Sequence, residues 1–324
     1  MGAEKIVVLG IGGTIAGTAS SSADNVGYSA GQLGLAQLIA TAPSLAALNL
    51  HAEDVARIDS KDMDFAVWRQ LARRCAHWLA QDDVQALVIT HGTDTLEETA
   101  FFLAQVLAPA KPIVLTCAMR PATAMSPDGP QNLVDAFAVA RTLGAQGVVA
   151  VCAGVVHAAA DVSKSHPYRL DAFSSGEVGP VGVVEEGVLR LLRPWPAVAA
   201  PQAQGAALRA IEAEPATWPR VEIVLNHAGA TGAMVDAIVA QGVDGIVAAG
   251  TGNGTLAAPL EAALLRARAQ GVWVVRATRC ALGSVVAHAD AALPDSAGLS
   301  PVKARIAMLL SLLAARSAIS WPGQ

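Results

Sequence analysis

Residues 6–17 read Ile6-Val7-Val8-Leu9-Gly10-Ile11-Gly12-Gly13-Thr14-Ile15-Ala16-Gly17, an apolar β-type run that opens onto glycines and a threonine. A second stretch repeats the pattern: Ala86-Leu87-Val88-Ile89 leads into Thr90-His91-Gly92-Thr93-Asp94-Thr95. In an open parallel sheet, ligands bind in the crevice beyond the carboxyl ends of the strands. Two threonine hydroxyls at two such ends therefore mark one candidate reaction centre. A third polar end, Asp59-Ser60-Lys61-Asp62, follows Val55–Ile58, and Asp161-Val162-Ser163-Lys164-Ser165 makes a fourth. Taken singly, each reads equally well as a turn or a helix cap, because Thr, Ser and Asp are the usual capping residues.

Outward from these ends, short apolar runs alternate with amphipathic stretches, which is the pattern of βαβ units. Strands are expected at Ile6–Leu9, Ala86–Ile89, Ile113–Thr116 and Val148–Cys152, and helices at Gly34–Thr41, Asp64–Leu79, Leu96–Leu107 and Asn132–Leu143. The whole run from Gly147 to Ala160 reads as one doubly buried parallel strand. Asp64 and Asp94 stand where helix N-caps are expected. From Arg193 the texture changes, and Pro194, Pro196, Pro201, Pro215 and Pro219 punctuate an Ala/Gln-rich segment. The expected organisation is thus an α/β chain with a larger N-terminal parallel-sheet domain at 1–193, a linker at 194–219 and a smaller C-terminal α/β domain at 220–324. In the second domain, strands are expected at Val221–Leu225, Gly245–Ala248 and Val272–Arg276, and helices at Ala233–Gln241, Leu256–Gln270 and Pro301–Ala315.

Composition narrows the function classes. The 324 residues are 53% hydrophobic and 15% charged, with a net charge of −5. There is no basic cluster and aromatics are only 4%, which argues against a nucleic-acid partner. The mean hydropathy of +0.44 owes much to alanine, and no apolar run reaches the ~18 residues of a spanning helix. The N-terminus lacks the features of a secretory leader, so a cytoplasmic protein is expected. Cys75, Cys117, Cys152 and Cys280 are far apart in sequence and read as reduced core thiols. The dispersed histidines lack a metal-ligand spacing, so no metal is expected.

The glycine-rich turn does not fit a dinucleotide fingerprint. Counting from Gly10, the third small position is occupied by Ile15, so a nicotinamide-dependent oxidoreductase is disfavoured. The segment Thr18–Gly31, rich in Ser, Gly and Ala with Tyr28 near its end, reads instead as a flap. Lys164 stands out as a lysine in a polar turn, since a desolvated lysine can serve as a base. His91 has no serine or cysteine nucleophile motif beside it and reads as a structural, hydrogen-bonded histidine.

The motifs Gly12–Gly17, His91–Ala100, Cys117-Ala118-Met119-Arg120-Pro121, Ser126–Leu133, Val162-Ser163-Lys164, Gly252-Asn253-Gly254 and Ser300–Arg305 occur in this order along the chain. In sequence and spacing they resemble the bacterial-type L-asparaginase family, nearly end to end. The resemblance implies a cofactor-free amidohydrolase that converts L-asparagine, with L-glutamine as a second candidate, to the acid and ammonia through a threonine acyl-enzyme. By the same resemblance Thr14 is the nucleophile, Tyr28 its lid tyrosine, and Thr93, Asp94 and Lys164 a second triad. Ser60 and Lys61 would grip the substrate α-carboxylate, and Asp94 the α-ammonium. Gly13, Gly92, Thr93 and Ala118 would line the substrate site. Asn253 would be lent by a neighbouring subunit of a homotetramer built as a dimer of dimers. Two departures stand out: Lys61 replaces a residue usually glutamine or small and polar, and Ala287–Leu299 is short, offering only Asp290 or Asp295 where family members carry a glutamate toward the α-ammonium. These departures keep a second expectation open, a non-catalytic amino-acid-binding protein on the same scaffold.

Overall fold

A computed structural model describes residues 5–197 and 201–319. Contacts divide the chain into two compact units, with the boundary between Leu208 and Arg209.

The first unit is built on a sheet of eight strands. These are β1 (Lys5–Gly12), β2 (Leu50–Ile58), β3 (Val84–Thr90), β4 (Ile113–Thr116), β5 (Val148–Cys152), β6 (Val155–Ala158), and the hairpin β9 (Gly182–Glu185) and β10 (Val188–Leu191); β7 (Ser163–Lys164) and β8 (Phe173–Ser174) form a separate two-stranded ribbon. The spatial order is β10-β9-β6-β5-β4-β3-β1-β2. Strands β1 to β5 are parallel, in the order 2-1-3-4-5, and the remaining three add antiparallel. Strands β4 and β5 and nearly all of β1 and β3 are buried, as expected of parallel strands covered on both faces.

The connecting helices are α1 (Leu35–Ala40), α2 (Phe65–Leu79), α3 (Leu96–Leu107) and α4 (Gly129–Ala140). In α2 the buried residues Trp68, Leu71, Ala72 and Cys75 recur at helical spacing, and Asp64 caps its start by accepting from the Val67 N–H at 2.8 Å. Leu35, Leu38, Leu133, Ala136 and Phe137 of α1 and α4 form one core with Ile6, Val8, Val88, Val114 and Val149. Strand alternation sends Val7, Leu9, Leu87 and Ile89 to the opposite face, against α2 and α3. The steps β2→β3, β3→β4 and β4→β5 all advance in one direction across the sheet, yet α4 lies on the face opposite α2 and α3. The β4–α4–β5 crossover therefore has the opposite hand to its neighbours, against a strong general preference for right-handed crossovers. This route carries the 117–128 loop toward the α1 face, where the Ala122 N–H donates to the Gly17 carbonyl at 2.9 Å and the Met125 N–H to that of Ser22 at 3.0 Å.

The run 147–160 is not one strand. It breaks at Ala153 (φ 50°) and Gly154 (φ 74°) and returns as β6, antiparallel to β5. Both turn residues have positive φ, the requirement of a tight hairpin turn. The expected linker, 194–219, contains helix α5 (Pro201–Ala210) and a short turn at Pro215–Thr217.

The second unit is a three-stranded parallel sheet, β11 (Val221–Leu225), β12 (Gly245–Gly250) and β13 (Trp273–Thr278). Helices α6 (Ala233–Ala240) and α7 (Ala258–Ala269) share a core with Val224, Ile246, Ala248 and Val274. Helix α8 (Pro301–Ile319) packs on the other face, where a Cβ at Gly245 would stand 2.3 Å from Met308 Sδ. Among the described residues no helix is long and apolar enough to cross a membrane.

Candidate active site

In the order 2-1-3-4-5 the strand sequence reverses between β1 and β3, so the crevice for a ligand opens beyond the carboxyl ends of those two strands. Thr14 follows β1 and Thr93 follows β3, both only 5% exposed. Their loops are joined through glycine. A Cβ on Gly13 would lie 2.3 Å from Gly92 Cα, and one on Gly92 would lie 2.4 Å from Ser60 Oγ. The first three strand ends thus meet through two side-chain-free positions. Gly13 also holds φ 79°, ψ −173°, a region that only glycine enters readily.

The Thr14 hydroxyl is hydrogen-bonded to the Tyr28 hydroxyl at 2.6 Å. Tyr28 ends the flap segment, which closes on itself through paired backbone bonds between Thr18 and Ser29 and rests on Thr123 Oγ1 through the Ala19 N–H, 2.8 Å. At the second strand end, Lys164 Nζ donates to Thr93 Oγ1 at 2.8 Å and to Asp94 Oδ1 at 2.6 Å. The Lys164 side chain is 16% exposed and that of Asp94 51%, so the pair has one face in the protein and one in the crevice. Lys164 lies on β7, and its backbone N–H donates to Glu97 Oε1 at 3.1 Å in the first turn of α3.

Asp94 is not the helix cap that its position in the sequence suggested. Thr95 is the N-cap of α3, and its hydroxyl donates to the Ser60 carbonyl at 2.7 Å. Asp94 is left free to pair with Lys164, while its N–H donates to Ser60 Oγ at 3.1 Å. Ser60 is buried between these loops. Its neighbour Lys61 turns away: the side chain is 61% exposed, and its ammonium sits 2.6 Å from Asp59 Oδ2 and 3.4 Å from Asp62 Oδ2. Ala118 is buried just beyond β4, in a loop that Asp128 holds by accepting the N–H groups of Met119 and Arg120 at 2.9 and 3.0 Å. Asn253 belongs to the second unit, where its amide exchanges bonds with the Val286 backbone at 3.0 and 2.6 Å.

Beneath Gly92 lies a buried relay. His91 Nδ1 is 2.7 Å from the Gly92 carbonyl, an acceptor only, so Nδ1 carries the proton. Burial holds His91 down to about 4, which leaves it neutral with Nε2 as acceptor. The Thr99 hydroxyl then donates to Nε2 at 2.9 Å and accepts from Trp68 Nε1 at 2.9 Å. His91 is thus buried and hydrogen-bonded through both ring nitrogens. Glu97, Thr99 and Asp128 escaped the reading of the sequence as site residues. The acids in the first turn of α3 were the available signal for Glu97.

The cysteines also differ from expectation in one respect. Cys75, Cys117 and Cys152 are buried, but Cys280 is exposed. Among the described residues no cluster of three or more His, Cys, Asp or Glu side chains is arranged to hold a metal ion.

Two family models match the chain: "Asparaginase, N-terminal" over residues 5–197 and "Glutaminase/Asparaginase C-terminal domain" over residues 220–318. The glutaminase-asparaginase of Pseudomonas fluorescens biotype A is 37% identical over 318 residues, covering 95% of this chain and 86% of the relative. L-asparaginase 2 of Bacillus subtilis (strain 168) is 36% identical over 314 residues, covering 95% and 82%. The crystal structure of a probable cytoplasmic L-asparaginase from Campylobacter jejuni aligns with a TM-score of 0.87 at 33% identity, covering 95% of each chain.

Proposed function

The chain belongs to the asparaginase/glutaminase family, and from that premise we propose that it is an L-asparaginase, hydrolysing the side-chain amide of L-asparagine with L-glutamine as a second substrate. The observation that carries the reading is the pairing of each threonine with a proton-handling partner: Thr14 with Tyr28 at 2.6 Å and Thr93 with Lys164 at 2.8 Å. A hydroxyl is a weak nucleophile until a neighbour takes its proton. Thr14 Oγ1 attacks the amide carbon as its proton passes to the Tyr28 hydroxyl, which hands its own proton on toward the amide nitrogen. The C–N bond then breaks, and that proton leaves with ammonia. Water, aligned by Thr93, then attacks the threonyl ester; its proton passes by way of Thr93 to the Asp94 carboxylate beside the Lys164 ammonium, and the Thr14 oxygen leaves, recovering a proton from solvent through Tyr28. Backbone N–H groups at the end of β3 stabilise the developing oxyanion.

Ser60 and Asp94 hold the two charged ends of the amino acid, with Gly13, Gly92 and Ala118 lining the site. For Lys61 to reach a substrate carboxylate, its ammonium must leave Asp59. The flap bearing Tyr28 admits substrate and then excludes water. The working form is a homotetramer, with Asn253 supplied across a subunit interface, and the site of action is the cytoplasm.

The test is ammonia release from asparagine and glutamine by the wild type, Thr14→Ala and Thr93→Ala. Each variant is expected to lose ~10³-fold or more of kcat. Hydroxylamine should trap the threonyl ester as aspartyl hydroxamate in the wild type and not in Thr14→Ala. Full turnover by Thr14→Ala would exclude the acyl-enzyme route. A rise in melting temperature with asparagine but no ammonia from the wild type would leave an amino-acid-binding protein instead.

A further inference from the structure

Two buried thiols near the site have no part in this chemistry. Cys117 Sγ and Cys152 Sγ lie 3.1 Å apart. Cys117 comes directly after β4 and Cys152 ends β5. Thr116 and Val151, one residue earlier in each strand, are register partners, so the cysteines are the next pair across two adjacent parallel strands. Neighbouring strands lie about 4.8 Å apart, within the Cα separation of about 4.4–6.8 Å that a disulfide spans. An approach of about 1 Å between the sulfurs reaches the covalent length of about 2.05 Å.

The surrounding backbone is already fixed in this arrangement. Asn132 Nδ2 donates to the Cys117 carbonyl at 2.9 Å, and Asn132 Oδ1 accepts from the Ala153 N–H at 2.9 Å. One side chain therefore ties the chain at one cysteine to the chain beside the other. Distance along the chain hides this pairing, since the two residues are 35 positions apart.

We propose that Cys117 and Cys152 form a redox modification site, closing to an intrachain disulfide when the protein meets hydrogen peroxide. The sulfur of one cysteine attacks the peroxide oxygen, the O–O bond breaks, and a sulfenic acid and water are left. The second sulfur then displaces the hydroxyl from the first, forming the S–S bond and releasing a second water. Two thiols lose two electrons and two protons in all, and the peroxide is reduced to two waters. The neighbouring Cys152 and burial push the Cys117 thiol well above its usual range. Thiolate is therefore scarce, and closure answers sustained exposure rather than a brief pulse. The new bond pins the ends of β4 and β5 directly before Ala118, in the wall of the proposed substrate site.

The experiment treats the full-length protein with hydrogen peroxide, unfolds it, alkylates the remaining thiols and maps the peptides. The expected result is loss of two of the four thiols, a linked peptide pair containing Cys117 and Cys152, and recovery of both thiols with dithiothreitol. Cys280→Ser removes the exposed thiol and should leave the linked pair unchanged, with two of its three thiols lost. Cys152→Ala should abolish the linked pair while folding is checked by circular dichroism. Four intact thiols under conditions that oxidise the unfolded chain would overturn the proposal, as would oxidation confined to Cys280. Sulfinic acid at Cys117 without a cross-link would overturn it too. These readouts do not depend on turnover, so they separate this proposal from the functional one.

Discussion

Gly13→Ala tests whether the approach of two strand ends, rather than the presence of the right side chains, makes the site. The new Cβ would stand 2.3 Å from Gly92 Cα, 2.4 Å from Gly92 N and 2.8 Å from the His91 carbonyl carbon. Carbon atoms pack best at about 3.5–4.0 Å, so the two loops must part by about 1 Å. The obstructing atoms are backbone and cannot rotate aside. The dihedrals φ 79°, ψ −173° add about 1–3 kcal/mol for any residue with a side chain. Overpacking adds a further ~1–3 kcal/mol. Thr14 is the next residue and moves with the loop, and a misplacement of about 1 Å costs ~10²-fold in rate. The variant should therefore fold with a lowered melting temperature and lose ~10²-fold of kcat/KM for asparagine in an ammonia-release assay. Gly144→Ala is the control, with φ +78° and nothing within 4 Å of its added Cβ. It should lose about 1–2 kcal/mol of stability from the left-handed conformation alone and keep full activity. Activity within threefold of wild type in Gly13→Ala would refute the view that the Gly13–Gly92 approach sets the position of Thr14.

Lys164→Met removes the donor to Thr93 and Asp94, and kcat should fall ~10²–10⁴-fold with little change in melting temperature. Thr99→Val strands the buried Trp68 N–H and His91 Nε2, so chemical denaturation should show a loss of about 2–4 kcal/mol. Burial holds both His91 and His157 down to about 4. Between about pH 6.5 and 4 the unfolded chain binds protons that the folded chain refuses, so stability is full above that window and falls as the pH drops through it. The slope should reach about 1.4 kcal/mol per pH unit for each histidine, and His157→Gln should remove one histidine's share in a series of unfolding curves.

The parallel core was legible because its strands are buried on both faces and read as unbroken apolar runs. Ile113–Thr116 and Val148–Cys152 occupy the expected residues, and the helix at Leu96–Leu107 does too. The β5–β6 hairpin was not legible for a related reason. Its turn begins at Ala153 in αL, so the reversal lies inside an apolar run with no Asn or Asp to mark it. The hand of the β4–α4–β5 crossover is a property of which face α4 packs on, and periodicity carries no information about faces. At the site, threonines at strand ends are visible as pattern, whereas partner choice is not. Asp94 has the look of a cap, and only the fold shows Thr95 in that role and Asp94 beside a lysine 70 residues away. Lys61 illustrates the opposite case, since its ammonium pairs with the carboxylates of its own turn. The Cys117–Cys152 contact was invisible because strand register, not sequence distance, sets it.

The bond between Lys164 and Thr93 spans 71 residues, and the Gly13–Gly92 contact joins the first strand to the third. No local stretch of chain holds a working site in miniature. During refolding, helices can form early, but these long-range closures come only with the completed sheet. Recovery of turnover should therefore lag helical circular dichroism and come no earlier than the last tertiary signal. On the ribosome, a nascent chain should stay inert until the ribbon bearing Lys164 has emerged. The Thr93–Lys164 closure is thus a more stringent mark of a completed first unit than any spectroscopic measure of its helices.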